Sequence, residues 1–433
     1  MRYTRMPIEV ESPEQMGYDT IRNNLSESSY TDAVLRELLT GDAVSPGSGF
    51  RGNAGDQAEG SGMNILADLG NLILCYGSHE GHPGLRELIA KGSRGSIDAP
   101  AGGPAGGTNP SNISGTNPSI SGTNPGSNSG VITPHHVLLT MGAAGALFII
   151  ATSLLEKGDE LVVVHPNYAT NLETPRAIGA IVRTIELHFE EGFRLDIDKV
   201  RAAITPKTKY ISVTHPHNPT GTCLNDTELR ALARIAEEEH LYVLVDETYR
   251  DMVFGPQLPL AAEYSPRLIS ISSLSKTYGL PGLRTGWIVC RDARLYETFL
   301  AAKEQIHICG PVLDEELAYR CLLDRDKHFP RIRSDIKDKF NTVKTWMDGQ
   351  EDWEWIEPRA GCVGFPRMRQ PESIDIDKFY ELLLKKYGTY VGPGHWFEMP
   401  RHYIRLGFGW PAKAQLEEGL AALTRAVSEA HRR

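Results

Sequence analysis

Residues 136–170 read HVLLTMGAAGALFIIATSLLEKGDELVVVHPNYAT, and the rhythm of this stretch decides the fold. A short apolar run meets a glycine-containing turn, then an apolar stretch of helical length, a turn at Lys157-Gly158-Asp159 and a second apolar run. That is the pattern of a strand–helix–strand unit. Three further short runs follow it: KYISVTH at 209–215, LYVLVDE at 241–247 and RLISISS at 267–273. They are rich in Val and Ile and do not alternate with polar residues, as expected of parallel strands buried on both faces. Between the first two lies NDTELRALARIAEEEH at 225–240, an amphipathic helix with Asn225 or Asp226 as its cap. The spacing predicts an α/β protein with a mostly parallel central sheet.

From about residue 320 the pattern changes. The charged helical stretches DEELAYRCLLDRD (314–326), RIRSDIKDKFNTVKTWM (331–347) and AQLEEGLAALTRAVSEAH (414–431) alternate with short strand-like runs. This predicts a large domain over 61–320, a smaller α+β domain over 321–433, and an N-terminal segment over 1–60 that joins the smaller one. Residues 92–130 interrupt the large domain and contain GTNPSNISGTNPSISGTNPGSNSG, a near-repeat almost free of apolar side chains. Such a composition cannot bury enough surface to offset its ordering entropy, so a tolerated surface insertion is expected.

The 433 residues are 40% hydrophobic and 23% charged, enough for a large core. With 45 basic against 55 acidic residues the formal charge is -10, and no basic patch with interleaved aromatics argues for nucleic acid. The start, MRYTRMPIEVESPEQ, lacks a secretory pattern, and no apolar run reaches the roughly 18 residues that span a bilayer. Cys75, Cys223, Cys290, Cys309, Cys321 and Cys362 are scattered without a C-x-x-C pair, against a disulfide framework or a structural zinc site. A reducing, cytoplasmic setting is expected, with most of these thiols in the core.

Ligands of open α/β sheets collect at the carboxyl ends of the strands. KYISVTH runs into Pro216-His217-Asn218-Pro219-Thr220-Gly221; LYVLV ends at Asp246, with Tyr249 three residues on. RLISISS ends at Ser273, with Ser275 and Lys276 next and Arg284 beyond. The turn Met141-Gly142-Ala143-Ala144-Gly145 has the small residues that let helix N-terminal amides approach a phosphate. Taken singly, each is an ordinary cap, turn or surface residue. Together they fit one cofactor, pyridoxal 5'-phosphate. Lys276 can form its imine, and Asp246 can keep the ring nitrogen protonated. Asn218 and Tyr249 can serve the phenolic oxygen, and Arg284, Ser273, Ser275 and the 142–145 turn can hold the phosphate.

The pieces YGSHEGHPGLRELI, GAAGAL, HPNYAT, HPHNPTGT, VDETYRD, SLSKTYGLPGLRTGW and YIRLGFGW stand in an order and spacing that resembles the fold-type I pyridoxal-phosphate enzymes, specifically the class I/II aminotransferase family of the aspartate aminotransferase superfamily. The resemblance implies an aminotransferase acting on an α-amino acid through a Schiff base at Lys276, which once released is the general base at the substrate Cα. It implies that Tyr168 stacks on the ring and that Arg405 grips the substrate α-carboxylate. It also implies a homodimer in which Tyr76, or less directly His79, reaches the neighbour's phosphate. Asn24-Leu25-Ser26-Glu27-Ser28-Ser29 resembles the segment that lines the substrate pocket, with Ser26, Glu27 and Asn218 as substrate contacts. The same stretch also reads as a helix cap.

His395, Trp396 and Phe397 could shape the pocket. Glu27 could meet a cationic side chain or assist a leaving group. THPHNPTG and LSKTYGLPGLRTGW are also similar to stretches of a cyclase of this fold, which keeps a lyase or cyclase as the alternative. A regulatory, non-enzymatic member of the fold is disfavoured by the intact Lys276.

Overall fold

The computed structural model describes residues 4–17, 20–35, 69–92 and 130–432. The insertion at 92–130 therefore lies, apart from its end residues, outside the described residues. In chain order the strands are β1 (Asn23–Leu25), β2 (Val137–Met141), β3 (Glu160–His165), β4 (Ile181–Glu186), β5 (Thr208–Thr214), β6 (Tyr242–Asp246), β7 (Leu268–Ser273), β8 (Thr285–Val289), β9 (Trp353–Glu354), β10 (Val363–Gly364), β11 (Arg367–Met368), β12 (Thr389–Pro393) and β13 (Ile404–Gly407).

Seven of them form one sheet in the order β2-β8-β7-β6-β5-β3-β4. The pairs from β4 to β7 are parallel, and only β8, between β7 and β2, is antiparallel to its neighbours. Alternate residues of one strand feed different cores. Val162 and Val164 of β3 pack with Ile211, Val213, Leu229 and Leu232 on one face, and Leu161 and Val163 with Ala146, Ile149 and Ile150 on the other. Two buried faces leave no position for a polar residue, which is why these strands read as continuous apolar runs.

Two strands of this sheet were not foreseen. The edge strand β4, IVRTIE, exposes most of its side chains, with Arg183 paired to Glu160, and so its apolar residues form no continuous run. The other, β8, is hidden in a glycine-rich stretch after Lys276.

The helix Asp226–Glu238 starts as its sequence indicates. Asn225 Oδ1 accepts from the Glu228 amide at 2.9 Å, while Glu228 Oε2 accepts from the Asn225 amide at 2.8 Å. The helix Gly142–Leu154 follows β2 directly and buries Ala146, Ile149 and Ile150 against the sheet.

A second, four-stranded sheet has the order β1-β12-β13-β10, and β1 pairs in parallel with β12. Its core joins Leu25, Val391, Ile404 and Leu406 to Phe340 and Val343 of the helix Arg325–Asp348 and to Leu420 and Leu423 of the helix Lys413–Ala430. The expected cut between 320 and 321 falls inside the helix Val312–Leu323. Ala318 and Cys321 of that helix are buried with Leu85 and Leu139.

All six cysteines are free; Cys290, Cys321 and Cys362 are buried, Cys223 and Cys309 half-buried and Cys75 exposed, so half rather than most are core residues. Among the described residues no helix is long and apolar enough to cross a membrane.

Candidate active site

The carboxyl ends of β2, β5, β6 and β7 open into a cleft between the two sheets. Ser26, Glu27, Ala143, Ala144, Tyr168, Asn218, Asp246, Tyr249, Ser273, Ser275, Lys276, Arg284 and Arg405 all line it. Those thirteen positions come from seven separate stretches of chain. Gly142 does not itself line the cleft, but it turns the chain from β2 into the helix with φ +70°, and a methyl there would lie 2.6 Å from Arg284 Nη2. A methyl on Gly286 of β8 would in turn lie 2.8 Å from the Ala143 amide nitrogen, so both glycines permit this close approach.

Lys276 follows the end of β7. Burial lowers the pKa of its ammonium, with Glu27 opposing and Arg405 reinforcing the shift, so the neutral amine is favoured more than on a free chain. Asp246 ends β6 and is buried. Its Oδ1 accepts from the Thr248 amide at 3.0 Å and the Thr248 hydroxyl at 2.6 Å, bonds that leave Oδ2 facing elsewhere. Burial raises its pKa, while the Thr248 donors and then Lys276 pull it down. The Tyr249 hydroxyl is buried, which pushes its pKa well up, and it contacts Ser28.

The loop that carries Asn218 is pinned by the buried histidine beside it. His217 Nε2 donates to the Pro166 carbonyl at 2.9 Å and Nδ1 accepts from Thr220 at 2.8 Å; burial pushes its pKa down to about 4, which keeps it neutral for both bonds. Arg284 has left-handed backbone, φ +47°, and donates through Nη1 to the Pro281 carbonyl at 2.9 Å. A non-glycine residue held there costs about 1–2 kcal/mol, a strain that aims the guanidinium toward the turn at Gly142.

Arg405, on β13, is 4% exposed. It donates through Nη2 to the Ser26 carbonyl at 2.7 Å and through Nη1 to Asn218 Oδ1 at 3.4 Å, beneath the rings of Trp396 and Phe397. Its Nε has no partner among the described residues, nor has Thr214 Oγ1 in the same cleft. A buried donor left unmade costs about 1–3 kcal/mol, so an anion that accepts from the Arg405 Nε would be stabilised.

Some expectations fall elsewhere. Tyr76 is 77% exposed and lines no part of the cleft of its own chain, and His79 is paired with Glu304 at 2.7 Å. No helix begins at Asn24: it lies in β1, and its Oδ1 accepts from the amide and hydroxyl of Ser26 at 3.0 and 2.7 Å as the chain leaves the strand, so the cap reading is corrected. His395 and Trp396 both bond Glu11 Oε2, at 2.8 and 2.7 Å, and only Trp396 reaches the cleft.

The cleft also contains Ile8, Glu9, Ser12, Pro13 and Glu14, which sequence reading missed, along with Thr214 and Thr248. Only Thr248 carried a local signal, the Asp-x-Thr spacing of a side-chain turn.

The residues present fit pyridoxal phosphate. The cradle at Gly142 excludes a Cβ, Thr214 Oγ1 and Arg405 Nε are buried without partners, and a carboxylate and a lysine end adjacent parallel strands.

Residues 126–423 match the family described as aminotransferase class I and II. Capreomycidine synthase of Streptomyces vinaceus is 30% identical over 292 residues, covering 67% of this chain and 74% of that protein. Aspartate aminotransferase of Streptomyces avermitilis is 26% identical over 306 residues, covering 68% and 74%. A crystal structure of a PLP-dependent aminotransferase from Streptococcus suis superposes with a TM-score of 0.80 at 25% identity, covering 100% of both chains.

Proposed function

The chain belongs to the class I and II aminotransferase family, and from that premise we propose that it transfers the amino group of an α-amino acid through a Schiff base at Lys276. The observation that carries this reading is the convergence of Lys276, Asp246, Asn218, Tyr249 and Arg405 on one buried cleft. Pyridoxal phosphate is the cofactor; when bound it supplies an electrophilic carbon for the amine and a ring that takes up negative charge from Cα.

This chain's own residues do the rest. The amides of Ala143 and Ala144, with Ser273, Ser275 and Arg284, hold the phosphate at the helix N-terminus. Tyr168 covers the ring face, Asn218 and Tyr249 serve the phenolic oxygen, and Asp246 faces the ring nitrogen. Arg405 takes the α-carboxylate, which relieves its unpaired Nε. That contact orients Cα toward Lys276, whose amine removes the Cα proton and can return it at the neighbouring carbon.

A second reading is favoured by the similarity to capreomycidine synthase: a lyase or cyclase shares every step up to proton removal and then expels or displaces a side-chain group. The two separate in one turnover without keto acid. Transamination leaves the cofactor as an amine, so its visible band is lost until a keto acid is added, and that is the expected result. A band that persists while product exceeds one equivalent would refute it and establish the second reading.

We also place the chain in a homodimer of the reducing cytoplasm. Ile73, Leu74 and Tyr76 are 76%, 79% and 77% exposed in one short stretch, which suits burial against a second copy with Tyr76 serving the neighbour's phosphate. Sedimentation of the holoenzyme should give a dimer; a fully active monomer would overturn this.

A further inference from the structure

Three carboxylates, Glu9, Glu14 and Glu27, line the same cleft, and among the described residues none of them has an ion-pair partner. Glu27 is half-buried, with one long hydrogen bond, from Asn24 Nδ2 at 3.5 Å; Glu9 and Glu14 are exposed at the mouth. They are brought there by the N-terminal turns Pro7–Val10 and Pro13–Met16 and by the loop after β1.

The cations of the cleft are otherwise engaged. Arg284 lies against the turn at Gly142, Lys276 is the amine assigned to the cofactor, and Arg405, assigned to the α-carboxylate, keeps a buried Nε with no partner among the described residues. Independently of the carboxylates, that orphaned donor and Thr214 Oγ1 show that the cleft is built around a ligand. Glu27 follows Ser26, whose carbonyl anchors Arg405 at 2.7 Å, so the first carboxylate lies one residue from the α-carboxylate grip.

We propose that the amino acid bound here ends in an organic cation, ammonium or guanidinium, received by Glu27 within the cleft and by Glu14 and Glu9 at its mouth. The inference rests on Arg405 as the α-carboxylate anchor but not on which reaction follows. Closing an amino acid into the cleft removes water from Glu27, and a desolvated carboxylate is stabilised by an opposite charge. A side-chain carboxylate, as in aspartate or glutamate, would meet three like charges and no spare arginine. An apolar side chain would leave Glu27 dry and unpaired. Like charge from Glu14 already adds to burial in raising the Glu27 pKa, a shift that a bound cation would reverse.

The test is a titration of the holoenzyme's visible cofactor band with lysine, ornithine, arginine, norleucine and glutamate, in wild type, Glu27→Gln and Glu14→Gln. The best cation should bind at least about tenfold more tightly than norleucine, with glutamate weakest, and Glu27→Gln should cut the cation-to-norleucine ratio about tenfold. Glu14→Gln, at an exposed position where folding is not at risk, should lower that ratio in the same direction by a smaller factor, and more at low salt. Norleucine or glutamate binding as well as the best cation would overturn the inference, as would ratios unchanged in both variants. The band shift requires no keto acid, so a cation preference supports the inference even where transamination fails, and its absence overturns it even where transamination is established.

Discussion

Lys276→Ala is expected to lower turnover by at least about four powers of ten while leaving the protein folded. Among the described residues it is the sole lysine that lines the cleft, so no other amine stands ready to take its place. A positioned general base contributes about 10²–10⁴ in rate, and this lysine is also the covalent anchor of the cofactor, so both contributions vanish together. Its burial sharpens the loss: the site favours the neutral amine, the form that accepts a proton, and bulk water offers no base of comparable basicity at that position. Borohydride should fix the cofactor to Lys276 in the wild type and to nothing in the variant. Methylamine should restore a small fraction of turnover, because a free amine can take the proton without being held in place. Turnover within tenfold of wild type, or a borohydride label mapped to another lysine, would remove Lys276 from the centre of the reaction.

How much of this was legible in the sequence depends on the range of the interaction. The parallel strands β3, β5, β6 and β7 announce themselves because burial on both faces demands an unbroken apolar run, and the ends of the last three then mark the candidates Asn218, Asp246 and Lys276. β4 does not, because an edge strand largely open to water interrupts its apolar residues with Arg183, Thr184 and Glu186. β8 was missed for a different reason, its glycines serving an approach to Gly142 that no local pattern reveals.

Glu9 and Glu14 sit in four-residue helices whose sequence signals nothing but a turn after proline. Their place at the cleft is fixed by contacts with chain far away, such as the hydrogen bond from Tyr390 to the Glu11 carbonyl at 2.9 Å and those from His395 and Trp396 to the Glu11 side chain. Arg405 was legible only through its motif, since an arginine in a short strand is ordinarily an edge residue; its burial under Trp396 and Phe397 is a tertiary fact.

Asp246→Asn isolates charge from shape, and turnover is expected to fall by about three powers of ten, roughly 4 kcal/mol of lost transition-state stabilisation. The amide is the same size as the carboxylate, and its oxygen can still accept from the Thr248 amide and hydroxyl, so the side chain keeps its orientation at the end of β6. What it cannot do is carry the negative charge that keeps a ring nitrogen protonated. In the free site burial raises the Asp246 pKa, the direction that favours the neutral acid, against the Thr248 donors and Lys276. A cationic ring nitrogen placed against the carboxylate reverses that balance: opposite charges a few ångströms apart in a water-poor cleft stabilise each other, so binding drives Asp246 to the ionised form and the ring to the protonated one.

The asparagine variant should therefore retain cofactor through dialysis, because the phosphate cradle and Lys276 are untouched, yet it should fail at proton removal from Cα. A deuterium label at Cα separates the outcomes. Exchange with solvent should slow by the same factor as turnover, which places the defect at that step. Loss of cofactor with normal exchange in the fraction still loaded would make Asp246 an anchor rather than an electronic partner, and exchange at the wild-type rate would end its assigned role.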